Sequence, residues 1–223
     1  EHYPRKIKEK LKEKAPPILF GCGDISLLEN QSFAIVGSRD IPEELCDYTK
    51  KLARNVALHQ IQIVSGGARG IDISAMRGAL DAGGTAVGVL SNNLEREALK
   101  PENRQMIIDQ QLIFISPFDP NAHFMVGNAM GRNKYIYALA EASLIVSSDY
   151  KKGGTWAGAE EQLKKYNFGN LFIKDDVTEG LLGLHKLGAN IWPNPRNKED
   201  FLKLLEHDKP ALKSESDFQD TLF

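Results

Sequence analysis

Hydrophobic residues along this chain fall in short unbroken runs rather than in alternation. The runs are "FAIVG" (33–37), "IQIVS" (61–65), "TAVGVL" (85–90), "LIFIS" (112–116), "SLIVSS" (143–148) and "NLFIK" (170–174). Runs of this length, bounded by Gly and Ser, predict strands buried on both faces of a sheet. Polar-rich segments with helical spacing lie between them. In "PEELCDYTKKLARNVALH", Leu45, Tyr48, Leu52 and Val56 share one face. Pro42 suits the first turn of that helix, and Glu43 and Glu44 complement its dipole. Further helices are predicted over 71–82, "PENRQMIIDQ", "GRNKYIYALAEA" and "TWAGAEEQLKKY". Strands alternating with helices predict an α/β, doubly wound, mostly parallel sheet of Rossmann-like type.

The flanks differ from this pattern. Residues 1–32 are charged and then Pro-rich, a lead-in expected to pack on the sheet edge. The main domain is expected over 33–205, closing with two short helices around a candidate strand. Residues 206–223 are polar up to Leu222 and Phe223 and read as a mobile tail. The net charge of −2 does not by itself signal a nucleic-acid partner, but a local basic patch is what binds phosphate. Cys22 and Cys46 form no CxxC pair, which points away from zinc and disulfides and toward a reducing cytoplasm. No apolar run approaches the ~18 residues of a membrane span. The charged start has no apolar core of a secretory signal.

Ligands of an open parallel sheet bind beyond the carboxyl ends of its strands. The segments expected there are Gly37-Ser38-Arg39, then Ser65-Gly66-Gly67-Ala68-Arg69-Gly70, then a long loop leading to Gly131-Arg132-Asn133-Lys134, then Lys151-Lys152-Gly153-Gly154-Thr155. Glycine paired with cations, with few carboxylates beside them (Asp72, Asp119 and Asp149), is the composition of a polyanion site. The adjacent Gly66 and Gly67 are expected to clear space for a phosphate. Asp72 reads as a first-turn helix carboxylate, with a catalytic role as the alternative. There is no G-x-x-x-x-G-K-[ST] and no G-x-S-x-G, and "SGGARG" lacks the G-x-G-x-x-G register. The five histidines have no metal-ligand spacing. Binding without a cofactor or metal, rather than catalysis, is the expectation.

"FAIVGSRD", "IVSGGARGIDISAMRGALDAGGTAVGVL", "PENRQMI" and "GRNKYIYALAEASLIVSS" together resemble the DprA/Smf DNA-processing proteins, from about Tyr3 to about Leu205. The resemblance implies an extended Rossmann-like domain that binds single-stranded DNA and helps load a RecA-type recombinase, usually as a homodimer. It implies that Arg39, the Gly66–Gly70 loop, Arg132-Asn133-Lys134 and the Lys151–Gly154 loop line the DNA pocket. Arg39, Lys134 and either Lys151 or Lys152 are the expected phosphate contacts. Arg69 is expected there or as an anchor of its own loop. Tyr150 or Trp156 is a candidate base-stacking ring, with burial as the alternative for Trp156. The chain departs from the family at "KKGGTWAGAEE", where Trp156 stands among residues that are commonly small. That departure implies a divergent member, and a length with no room for added helical or winged-helix domains implies either a core-only member or a trimmed one.

Two other readings share the same pocket. One is a LOG-like nucleotide phosphoribohydrolase, whose Pro-Gly-Gly-x-Gly-Thr-x-x-Glu loop "KKGGTWAGAEE" resembles out of register. The other is a nucleotide-sensing module. Finally, Gln219, Leu222 and Phe223 resemble the Q-x-x-L-F peptide that docks on the bacterial sliding clamp.

Overall fold

All six apolar runs form strands in the computed structural model, which describes residues 3–206. In chain order the elements are α1 (Arg5–Leu11), β1 (Phe20–Cys22), β2 (Ser32–Val36), α2 (Glu43–Leu58), β3 (Gln62–Ser65), α3 (Ile71–Leu80) and β4 (Ala86–Val89). There follow α4 (Leu94–Leu99), α5 (Pro101–Ile108), β5 (Leu112–Ser116), α6 (Val126–Leu139), β6 (Ala142–Ile145) and α7 (Gly153–Glu161). A π-helical turn, Gln162–Tyr166, extends α7, and β7 (Asn170–Ile173), α8 (Glu179–Lys186), β8 (Asn190–Ile191) and α9 (Lys198–Leu205) complete the fold. The eight strands form one sheet in the order β1-β5-β4-β3-β2-β6-β7-β8. Every pairing is parallel except β1 on β5, where Phe20 faces Ser116.

The unbroken apolar runs are explained by the two layers that cover the sheet. Successive side chains of β2 enter opposite cores. Ala34 and Val36 join a cluster with Ile7, Leu11, Ile136 and Leu139 of α1 and α6. Phe33 and Ile35 join another with Val56, Ala75 and Phe201 of α2, α3 and α9. Phe33 is fully buried and packs at 5.2 Å against both Trp192 and Phe201. Truncating it to alanine is expected to cost about 3–5 kcal/mol.

Three elements are absent from the sequence pattern: α1, β1 and α4. In α1 only Ile7 and Leu11 face the core, so a charge run masks its periodicity. Lys6 and Lys10 of α1 donate to the carbonyls of Leu139 and Ala140 at the end of α6, where a cation also suits the helix dipole. The start of α6 also moves. It begins at Val126 rather than at Gly131, so Arg132 to Lys134 lie inside the helix. Among the described residues, no helix is long and apolar enough to cross a membrane. Gln219, Leu222 and Phe223 lie outside the described residues.

Candidate nucleic-acid interface

Strand β2 has β3 on one side and β6 on the other, so the sheet changes direction of growth there. Such a switch point leaves a crevice at the carboxyl ends of the strands. The loops after β2, β3 and β6 converge on it. Loop closeness is set by Gly70, with φ +85° and no room for a Cβ, which would lie 2.5 Å from the carbonyl oxygens of Ser38 and Arg39. The Ile71 amide donates to Ser38 O at 3.3 Å, the Ser38 amide to Ser147 Oγ at 3.0 Å, and Thr155 Oγ1 to Gly37 O at 3.0 Å. These bonds cross-link three loops into one rim.

The rim encloses a cavity of about 390 Å³. Gly37, Ser38, Arg39, Asn133, Lys152, Gly153, Gly154 and Thr155 all line it, together with buried Asp72, Arg132 and Tyr137. A second cavity of about 300 Å³ adjoins it beyond β3 and β4, lined in part by Gly66, Gly67 and Arg69. Arg39, Ala68, Phe124 and Arg132 line both. Ser65, Gly70, Lys134 and Lys151 line neither. Ser65 is fully buried and donates to Ile35 O at 2.6 Å, so its hydroxyl serves the sheet.

The earlier start of α6 explains the split among its residues. Ala129, Arg132, Asn133, Ile136 and Tyr137 recur at helical spacing and face the first cavity. Lys134 is on the other side, its ammonium 5.1 Å from the ring centroid of Tyr135. Asn133 donates from Nδ2 to Gly154 O at 2.8 Å and ties α6 to the start of α7.

Arg132 does not reach outward. It is 4% exposed and donates from Nη1 to Val89 O at 2.7 Å. A Cβ on Gly66 would lie 1.6 Å from that same nitrogen. Gly66 therefore makes room for the chain's own guanidinium, which corrects the expectation of a phosphate there. Asp72 lies nearby, accepting from the Ala68 amide at 3.4 Å. Burial raises its carboxyl above the usual range against the pull of Arg132, and burial likewise lowers the Arg132 guanidinium. Burial, with Asp72 beside it, also pushes the Tyr137 hydroxyl up. Asp72 is thus a carboxylate that fastens the α3 turn and faces a buried cation.

None of the three cations lining the first cavity forms an ion pair among the described residues; Arg132 is buried and spent on the Val89 carbonyl, which leaves Arg39 and Lys152. Arg69 pairs with Asp40 and anchors its own loop. Arg39 is exposed, its guanidinium 4.8 Å from the ring centroid of Phe124. Three carboxylates, Asp40, Asp72 and Asp149, line the same cavity, so its charge is close to balanced. Asp119 instead accepts from the Asn121 amide and lies outside both cavities.

The exposed ring at the site is Phe124, 46% exposed, followed by exposed Met125 and Val126. The sequence signal for it is an apolar triplet inside an otherwise polar loop, with no periodicity to explain it. Trp156 is 5% exposed, donates to Glu160 Oε2 at 3.2 Å, and packs edge-on against Tyr150. Tyr150 is half-exposed but lines neither cavity. Glu160 and Glu161 pair with Lys164 and Lys165 at 2.7 Å each, also outside both cavities.

Known proteins share this fold. Protein Smf of a Synechocystis strain is 29% identical over 157 residues, which are 68% of this chain and 39% of that protein. The chain spans less than half the length of the first curated relatives it matches. DNA processing protein A (DprA) of Streptococcus pneumoniae has the same fold, with a TM-score of 0.73, 24% identity, and coverage of 92% of this chain and 72% of that one. DprA of Helicobacter pylori, whose structure describes a single-stranded DNA binding mode, gives a TM-score of 0.71 at 26% identity, covering 92% and 93% of the two chains. The DNA recombination-mediator protein A family matches residues 1–206, and this chain belongs to that family.

Proposed function

We propose that this chain binds single-stranded DNA in the switch-point cavity and performs no chemistry on it. The observation that carries the reading is one cavity that joins two unpaired cations, Arg39 and Lys152, to an exposed aromatic ring, Phe124. Cations meet phosphates and a ring stacks bases, and these contacts hold a single strand whatever its sequence at the main cavity. Backbone amides at the open Gly153-Gly154 turn complete the phosphate contacts. The H. pylori relative, similar over nearly the whole of both chains, supports the same ligand here. In this reading the bound strand is protected and passed to a RecA-type recombinase, and the chain acts as a homodimer in the cytoplasm.

The set of DNA contacts is smaller than the loops alone suggest. Arg132, Ser65 and Thr155 build the site, and Arg69 is answered by Asp40. With two cations neutralising phosphates, the logarithm of affinity should fall with the logarithm of salt at a slope of only about −1.4. The test is a titration of labelled oligothymidylates of increasing length against thymidine monophosphate. The reading predicts affinity that rises with length and a shallow salt slope. Saturable mononucleotide binding with no gain from length would overturn it in favour of a nucleotide sensor.

A further inference from the structure

The second cavity differs from the first in its chemistry. Its apolar walls are Phe124 and Leu90, and its polar wall is Ser91, Asn92 and Glu97. Glu97 is 28% exposed at its side chain and holds Lys100 at 2.8 Å through one oxygen. Asn92 accepts from Ser91 Oγ at 3.1 Å, which leaves its amide N–H groups available. Of the cations around it, Arg69 is committed to Asp40 and Arg132 to the Val89 carbonyl, and Arg39 stands at the border it shares with the first cavity, over the Phe124 ring. A phosphate has little to gain beside Glu97, whereas a flat base with N–H donors fits between apolar walls and a carboxylate.

Resting on the reading above, we infer that this second lobe is a base subsite for the nucleotide next to the one in the main cavity, with Glu97 selecting guanine. Guanine alone among the DNA bases presents two adjacent donors, N1–H and N2–H₂, which a carboxylate accepts together. Its O6 is the matching acceptor for an Asn92 N–H. Thymine offers one N3–H between two carbonyl oxygens, and cytosine and adenine each offer a single amino group, so none of them gives the carboxylate two adjacent donors. The two lobes share Arg39 and Phe124, so one strand passes from one to the other around the ring.

The experiment compares three labelled 12-nucleotide strands: oligothymidylate, the same strand with one central guanine, and the same strand with inosine there. Each is titrated by fluorescence anisotropy into wild type, Glu97→Gln and Asn92→Ala. Wild type should prefer the guanine strand to oligothymidylate by roughly tenfold, within the discrimination a paired base contact gives. Inosine, which lacks N2, should lose most of that preference. Glu97→Gln should level the three strands while keeping its affinity for oligothymidylate, and Asn92→Ala should reduce the preference in part. Equal affinity of wild type for the guanine and thymine strands, or a preference that survives Glu97→Gln, overturns the inference and leaves DNA binding standing. No binding of any strand by wild type overturns the reading on which it rests.

Discussion

Helix α1 and the loops beyond the parallel strands both concentrate cations, but they direct them at different partners. In α1, Arg5 pairs with Glu29, Lys6 with Glu141, and Lys10 donates to Ala140 O. Lys6 and Lys10 fasten the lead-in to the end of α6, and Arg5 ties it to itself. At the strand ends, Arg69 of a loop and Arg132 of α6 are likewise used internally, and Arg39 and Lys152 are left at an open cavity beside an exposed ring. Counting charges along the sequence would choose α1 as the basic site. Counting cations that line a cavity without an ion pair chooses the loops.

The sharpest way to break this comparison is to disturb a cation beside the site that serves the fold. Arg132→Ala leaves buried Asp72 without its facing cation, and a loss of about 3–5 kcal/mol in urea denaturation is expected. Gly66→Ala should approach the same loss, because its Cβ displaces the same guanidinium. If either variant keeps wild-type stability, Arg132 is not structural. Next in size, Arg39→Ala with Lys152→Ala should leave stability unchanged and weaken strand binding by about 1.5–3 kcal/mol for each charge-assisted contact removed. Phe124→Ala should cost about 1–3 kcal/mol of binding if one base stacks there. Tyr150→Ala should cost nothing measurable, and the reverse ranking would move the stacking platform to the other loop.

A separate, pH-dependent effect belongs to α1. Burial, opposed by Glu141 and aided by Lys6, lowers the Lys10 ammonium to about 8. The unfolded chain then binds the extra proton between about pH 8 and 10.5, so stability should rise as pH rises through that window. Lys10→Met should remove this rise in pH-dependent urea curves. A wild-type curve that is flat over the same range would show that the amine is not desolvated.

Much of the sheet was legible because parallel strands buried on both faces leave a plain mark. "LIFIS" is β5 residue for residue. The doubly wound class and the three converging loops followed from the same runs. The lead-in was hidden because α1 shows the core only two side chains. The site was legible as a neighbourhood and not as a set of roles. Nothing local in "GRNKY" says that the helix began five residues earlier, and that shift is what buries Arg132 and turns Lys134 away. At Gly66 a missing side chain looks the same in the sequence whether it yields to a phosphate or to an arginine. Phe124 leaves no mark in the sequence beyond an apolar triplet, because a buried and an exposed loop phenylalanine look alike there.

The most direct test of the central claim sets the two cationic regions against each other in one assay. Anisotropy of a labelled oligothymidylate would be measured at two salt concentrations for wild type, Arg39→Ala/Lys152→Ala, and Lys8→Ala/Lys12→Ala, which removes two exposed lysines at α1. The account predicts that only the first double variant loses binding, with the wild-type salt slope shallow and retained in the second. Binding that survives removal of Arg39 and Lys152 and fails without Lys8 and Lys12 would contradict it, and would place the strand on α1.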